Sequence, residues 1–256
     1  MDNLLHILQI PESCMVNKKI TKAFFKRNFD LTVAEKKLLD DSTTIIQMEW
    51  LASIKPENSN ILSFTHEQSV FEELVIMTVQ TGDDDFDKNK QRIAELIQKY
   101  IPYHIVLCIY NSSKLVFNTC EKRINQNDSS KRTVEKFYFT ENISSTFPTE
   151  KQKSFIKSLA YSELDKQNLK TCYDAYTNRL VALQAAELAG VYTVRKNERS
   201  KQDVQHLENI ARLQSEILVL QNNAVKETQL NIQIELNAAI QERKKEIKKL
   251  EDFIVN

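Results

Sequence analysis

The sequence predicts an α+β fold: a mixed β-sheet with packed helices, followed by a helical, coiled-coil C-terminal arm. Three observations carry this. Apolar, strand-like runs crowd the first 145 residues, the purest being HIVLCIY at 104–110. Stripes at helical spacing flank and follow them. From Asp203 to Ile254 there is neither Gly nor Pro, the composition of uninterrupted helix. The chain divides accordingly into an α/β domain with a mixed sheet (1–145), a linking helical segment (146–201) and a long helix or helical hairpin (202–256).

Residues 16–29, VNKKITKAFFKRNF, read as the first helix. Val16, Ile20, Ala23 and Phe24 share one face, and Lys18, Lys19, Lys22 and Lys26 the other. Thr32 is placed as the N-cap of a second, short helix ending near Asp40, with Glu35 completing a capping box. Strands are expected at 43–54, 60–64 and 69–81, with a turn at Pro56-Glu57-Asn58-Ser59. Gly82-Asp83-Asp84-Asp85 reads as a loop. Asp87–Tyr100 reads as a helix with Ile93, Leu96, Ile97 and Tyr100 on its apolar face, ended by Pro102. HIVLCIY has the continuous apolarity of a central strand buried on both faces. It pairs with 114–124 across Asn111-Ser112-Ser113, and 133–143 completes the sheet.

Ser144–Glu150 reads as linker. Residues 168–189 are expected to be helical, with Leu169, Tyr173, Tyr176, Leu180 and Leu183 as the stripe and Gly190 as the stop. Val191–Val194 is the next strand-like run. In the arm, Ile210, Leu213, Ile217, Leu220 and Ala224 keep one spacing frame. Leu236, Ile240, Ile247, Leu250 and Ile254 keep a second, offset one. The offset fits a stutter in one helix or a hairpin bending near Asn222-Asn223. A lone amphipathic helix cannot bury its stripe, so the arm needs another helical surface.

Composition narrows the function. With only two glycines, Gly82 and Gly190, the chain has no glycine-rich phosphate loop or dinucleotide fingerprint. Formal net charge is zero, and the balance holds in both residues 1–160 and residues 161–256, which argues against a strong overall grip on DNA. Cys14, Cys108, Cys120 and Cys172 form no C-x-x-C pair, so no zinc site is expected and the thiols read as buried and free. The N-terminus does not read as a signal peptide, and no apolar run reaches the ~18 residues of a membrane span. A cytoplasmic location with no cofactor and no membrane partner is expected.

These landmarks resemble a bacterial domain-of-unknown-function family. The resemblance lies in Ile10-Pro11, in Asn17-Lys18-Lys19-Ile20-Thr21-Lys22 with Phe24-Phe25, in Ile46-Gln47-Met48-Glu49-Trp50-Leu51, and in Val70 to Val79. It continues through Ile101-Pro102-Tyr103-His104-Ile105, Lys226-Glu227-Thr228-Gln229-Leu230-Asn231 and Glu235-Leu236-Asn237. Where that family has a tyrosine-lysine pair after the fifth strand, this chain has Cys120-Glu121-Lys122, so Lys122 is the residue that would hold that place. Members of the family stand beside helicases and modification methyltransferases of restriction and phage-defence loci. The resemblance implies no activity. It implies an antiviral-defence setting and a DNA helicase or translocase as partner.

Several residues are candidates for function. Tyr103 and His104 sit at a strand entrance, although a lone His without a paired carboxylate or nucleophile is more often structural. A metal-dependent nuclease needs clustered acids and a lysine, for which Glu72, Glu73, Glu121 and Lys122 are the candidates. Glu121 and Lys122 are neighbours, however, so on a strand they point to opposite faces. Gly82–Asp85 could hold a cation or be a plain acidic turn. Lys18, Lys19, Lys22, Lys26 and Arg27 could contact phosphates or form a solvated face. Arg243-Lys244-Lys245 and Lys248-Lys249, interleaved with acids, read as a coiled-coil flank. Ile217, Leu220, Leu236 and Ile240, with Asn231 and Asn237 as buried register-setting polar residues, are the expected partner-binding set. The favoured reading is a non-catalytic interaction subunit that docks its partner through the arm and the α/β domain, with homo-oligomerisation through the arm also open. A metal-dependent nuclease and a direct DNA-binding module are the alternatives.

Overall fold

The computed structural model describes residues 7–255 apart from 67, 68, 127, 129–131 and 196. Its main sheet has strands β1 (Met15–Ile20), β2 (Gln47–Ile54), β5 (Leu74–Gln80), β6 (His104–Tyr110), β7 (Lys114–Ile124) and β8 (Arg132–Phe139) side by side in that order, with β9 (Ile143–Ser144) also paired to β7. Only β5 and β6 are parallel to each other; the other pairs run antiparallel. A parallel pair needs a crossover, and helix α4 (Asp83–Tyr100) supplies it. Strands β3 (Phe64–His66) and β4 (Ser69–Phe71) form a separate two-stranded sheet.

The alternation of side chains along a strand divides the core into two layers. Val75, Met77 and Val79 of β5 and Ile105, Leu107 and Ile109 of β6 face one way. They meet Phe86, Ile93 and Ile97 of α4, Phe25 of α1 (Lys22–Asn28) and Leu38 and Leu39 of α2 (Val33–Asp40). Leu74, Ile76, Val106 and Cys108 face the other way, against Phe155 of α5 (Glu150–Ser158) and Leu169, Tyr173, Tyr176 and Leu180 of α6 (Leu169–Ala189). Helices cover both faces of the sheet, as a mixed α/β layering requires. The segment 146–201 therefore does more than link, because α5 and α6 form one of the three layers.

Local chemistry explains the elements the sequence predicted. Thr32 and Glu35 form the capping box of α2. The β6 strand is buried along its length except at Tyr110. Gly190, at φ 77°, closes α6 in the left-handed region that favours glycine.

Other elements differ from expectation. The run 16–29 is not one helix. Its first part pairs with β2 as the edge strand β1, Thr21 caps α1 by accepting from the Phe24 amide, and α1 begins at Lys22. Residues 43–46 precede β2, because the Asp41 carboxylate accepts from the Thr43 and Thr44 amides and holds a turn there. Pro56–Ser59 is a short helix, α3. Within 60–64 only Leu62, in an isolated bridge, and Phe64, the first residue of β3, take part in strand pairing. The stretch 69–81 breaks at Glu72-Glu73 between β4 and β5, and 133–143 breaks between β8 and β9. Val191–Val194 forms no strand.

Gly82-Asp85 is not a loop either. Helix α4 starts at Asp83, with three aspartates in its first turn, where the helix dipole favours negative charge. Gly82 itself donates from its amide to the Thr43 carbonyl at 2.7 Å, and a Cβ there would lie 3.0 Å from that oxygen.

The arm is a hairpin of α7 (Asn197–Lys226) and α8 (Leu230–Val255). It reverses at 227–229, a few residues beyond the expected bend. The Glu227 carboxylate accepts from the amides of Thr228 at 2.8 Å and Gln229 at 2.9 Å, and this satisfies donors that would otherwise be orphaned where α8 begins. Ile210, Leu213 and Ile217 of α7 and Ile240 and Ile254 of α8 are buried. The offset frames are thus the two sides of one intramolecular seam. At its base Leu207, Ile210, Ile247, Leu250 and Ile254 pack with Ala185 of α6. Among the described residues no helix is long and apolar enough to cross a membrane.

Candidate functional site

The largest concentration of chemistry lies where the first residues of β6 meet β7, β8, α6 and the start of α7. His104 begins β6. The Phe71 ring stacks on it with centroids 3.6 Å apart and planes 8° from parallel. Burial, followed by the nearby Lys122 charge, pushes its pKa down to about 3, so the ring is neutral. Its Nε2 lies 3.2 Å from the Val70 carbonyl and donates to it, which leaves Nδ1 as an acceptor. Among the described residues no group hydrogen-bonds to Nδ1.

Lys122 is buried next to it. Its ammonium donates to the carbonyls of Ile101 at 2.8 Å and Tyr103 at 2.7 Å, capping the end of α4. Burial lowers its pKa to about 8. Tyr173 ties α6 to the sheet: its hydroxyl accepts from the Cys120 amide at 2.9 Å and lies 3.0 Å from the Cys120 carbonyl. Around these groups is a cleft of about 410 Å³, lined also by Glu121, Arg123, Glu135, Tyr138, Lys170, Asp174 and Lys201. A smaller cavity of about 180 Å³, lined by Glu72, Glu73, Tyr103 and Arg132, shares His104 with it.

The carboxylates of the cleft are engaged. Glu121 accepts from the Tyr138 hydroxyl, Glu135 pairs with Arg123 at 2.5 Å, and Asp174 pairs with Lys170. The nuclease candidates are dispersed. Glu73 accepts from Ser53 Oγ at 2.5 Å and pairs with Lys55 at 3.3 Å, while Glu72 is exposed in the β4–β5 connection. A bulge separates Glu121 from Lys122, and the two side chains take different partners, the Tyr138 hydroxyl for Glu121 and the Ile101 and Tyr103 carbonyls for Lys122. Among the described residues no group of three or more His, Cys, Asp or Glu side chains could hold a metal. Asp83 is held by Ser112, Asp85 by Thr43, and Asp87 by Lys114 and Lys90, so the acidic run braces the start of α4.

The lysine stripe is also divided. Lys18 and Lys19 are exposed on β1, where charge on an edge strand discourages pairing with other chains. Lys22 donates to the Asp41 carbonyl at 2.7 Å, and Lys26 pairs with Asp40. Arg27 is exposed in the last turn of α1.

In the arm, Ile217 and Ile240 are buried in the hairpin seam, and Leu220 and Leu236 are half-buried along it. Asn231 and Asn237 are exposed, so they do not set register inside the seam as expected. The surface-directed apolar residues are different ones. Leu218 is 60% exposed, Val225 86%, Leu230 71% and Ile234 61%. Their spacing could have marked them in the sequence, since Leu218 and Val225 are seven apart and Leu230 and Ile234 four apart, off the seam frames. A groove of about 440 Å³ runs between β8, α6 and α7 past Leu207 and Ile210. The hairpin is latched to itself. Asp203, fully buried, lies 3.2 Å from Arg195 Nε and 3.4 Å from Arg199 Nε, and the two arginines donate to the carbonyls of Ile254 and Phe253 near the end of α8.

A protein-family model described as Domain of unknown function (DUF4391) matches residues 8–247. The searches of curated proteins and of solved structures found no match.

Proposed function

The chain belongs to that family of domains of unknown function, and from its geometry we propose a non-catalytic interaction subunit that docks a DNA helicase or translocase. The observation that carries the proposal is the distal part of the α7–α8 hairpin. Leu218, Val225, Leu230 and Ile234 present large apolar side chains to solvent there, while the seam residues that hold the hairpin together are already satisfied. Contiguous exposed apolar surface marks interaction sites, and Val225 and Leu230 flank the reversal between α7 and α8. The groove beside Leu207 and Ile210 is a second contact surface, on the α/β body. The helicase partner and the restriction or phage-defence setting rest on the resemblance in Ile101–Ile105, Lys226–Asn231 and the other matching runs.

A nuclease has less support, because Glu73, Glu121 and Lys122 are each committed to different protein partners. The seam also lessens the need for a second copy of the chain, since the hairpin supplies its own helical surface. The test is co-purification of the full chain with the products of the genes that flank its own, a helicase or translocase being the one the proposal requires. Val225→Glu with Leu230→Glu should abolish the complex while leaving the circular dichroism spectrum and the monomer mass unchanged. A complex of undiminished affinity would sink the proposal.

A further inference from the structure

Helix α7 carries a second stripe besides the one in the hairpin seam. Leu207, Ala211, Gln214, Leu218, Gln221 and Val225 recur at alternating four- and three-residue intervals, the spacing of a coiled-coil face. At 100° per residue they fit within an arc of about 80°, centred opposite Glu216. Glu216 and Arg243 pair across the seam at 3.4 Å and so mark the hairpin's other face. Arg212 stands with them, paired to Glu216. Leu230 and Ile234 lie about 140–180° around α8 from Arg243, which puts them on the stripe's side. None of these stripe-side residues is charged. The first half of the stripe, from Leu207 to Gln214, is one wall of the groove of about 440 Å³, which Phe137 of β8 and Leu188 of α6 also line. Leu188 is 37% exposed there, and Leu218 and Val225 carry the stripe beyond the groove to the reversal, open to solvent.

We propose that this stripe receives one amphipathic helix of the docked protein, lying along α7 from the groove to the reversal. The inference rests on the docking proposed above and gives it a form. It joins the groove and the distal end of the hairpin into one surface, because Gln214 and Leu218 are successive members of the same stripe. From Leu207 to Val225 the span is about 27 Å, the length of a helix of about 18 residues. An extended segment laid on α7 finds no strand edge, so its N–H and C=O groups would lose water without gaining partners. A helix satisfies those groups itself and sets its apolar side chains between Leu218, Val225 and Leu230. The groove walls from β8 and α6 flank the first half of the stripe, which suits a slender rod better than a second copy's hairpin, two helices broad. With no cation on the stripe, a phosphate backbone has nothing to hold. Gln214 and Gln221 stand where a polar residue sets register against a partner helix.

The test uses the complex of the full chain with the flanking gene product that binds it. Gln214→Glu with Gln221→Glu should weaken that complex by roughly tenfold or more, because a charge at either place must be desolvated. Gln214→Lys with Gln221→Lys should do the same, which separates desolvation from attraction to a charged partner. Both positions are exposed, and Gln, Glu and Lys all favour helix, so melting temperatures should hold. Asn223→Glu, on the Glu216 side, should leave affinity within about twofold. A photo-crosslinker placed at Gln214 and at Gln221 in turn should join one helix of the partner, at sites about seven residues apart. If no flanking product binds, the docking and this inference fall together. If one binds and Val225→Glu with Leu230→Glu releases it, but neither pair of Gln214 and Gln221 changes weakens it, the docking stands and the helix does not. Crosslinks to a strand, to two separate segments or to a second copy of the chain would overturn the helix equally.

Discussion

Arg195 donates to the carbonyl of Ile254 at 2.7 Å, joining the entry to α7 with the last turn of α8. Arg199 does the same for Phe253. Cations suit the carbonyl-rich end of a helix, and Asp203 lies between the two guanidiniums to balance their charge. Removing the carboxylate leaves two partly exposed guanidiniums without their balancing charge, each still held by a carbonyl. Asp203→Ala is expected to destabilise the protein by about 1–3 kcal/mol, less than for a stranded, fully buried charge. Hydrogen exchange should quicken first at 247–255. Unchanged exchange there would show that the latch does not hold α8.

Lys122 is a test of structural against catalytic use. Lys122→Met keeps the volume but leaves the Ile101 and Tyr103 carbonyls without their donor. A loss of about 2–4 kcal/mol in urea unfolding is expected from two deprived buried acceptors. A variant as stable as the wild type would point away from the capping role.

The Glu35 carboxyl gives the fold an acid limit. Burial alone would raise its pKa, but hydrogen bonds from Lys99, the Thr32 amide and Tyr100 outweigh that and hold it at about 2, against an ordinary 4.5. A depressed carboxylate contributes stability above its unfolded value and loses it as pH falls toward the folded one. Stability should therefore drop by about 1–3 kcal/mol between pH 4.5 and 2 through this group. Glu35→Gln should flatten that part of the pH profile, as read by thermal melts across it.

Gly190 isolates backbone strain from packing. A Cβ there would meet nothing within 4 Å, yet φ is +77°. Gly190→Ala should cost about 1 kcal/mol from conformation alone, with the urea m-value unchanged.

What could be read from the sequence was what local chemistry decides. The capping pair Thr32 and Glu35, the apolar run of β6 and the stop at Gly190 each act within a few residues. The run containing Val16, Ile20 and Phe24 has helical spacing and still opens as a strand, because β2 offers it backbone partners more than 25 residues away. The apolar seam of the arm was legible, but its partner was not, since the same pattern suits another copy or the chain's own return. Asn231 and Asn237 followed from that uncertainty. The latch at Asp203 joins residues about fifty apart, and no spacing rule reaches that far.

Among the described residues the hairpin's apolar clasp lies near one end, at Leu207, Ile210, Ile247, Leu250 and Ile254. At 1.5 Å per residue the stretch of α7 from Ile210 to the reversal is about 25 Å long, so the reversal at Glu227 sits at the far end of a lever. A tilt of a few degrees at the pivot sweeps that end through about an ångström or two. Whatever grips Val225 and Leu230 thereby gains mechanical advantage over α6, and through it over the sheet on which α6 lies.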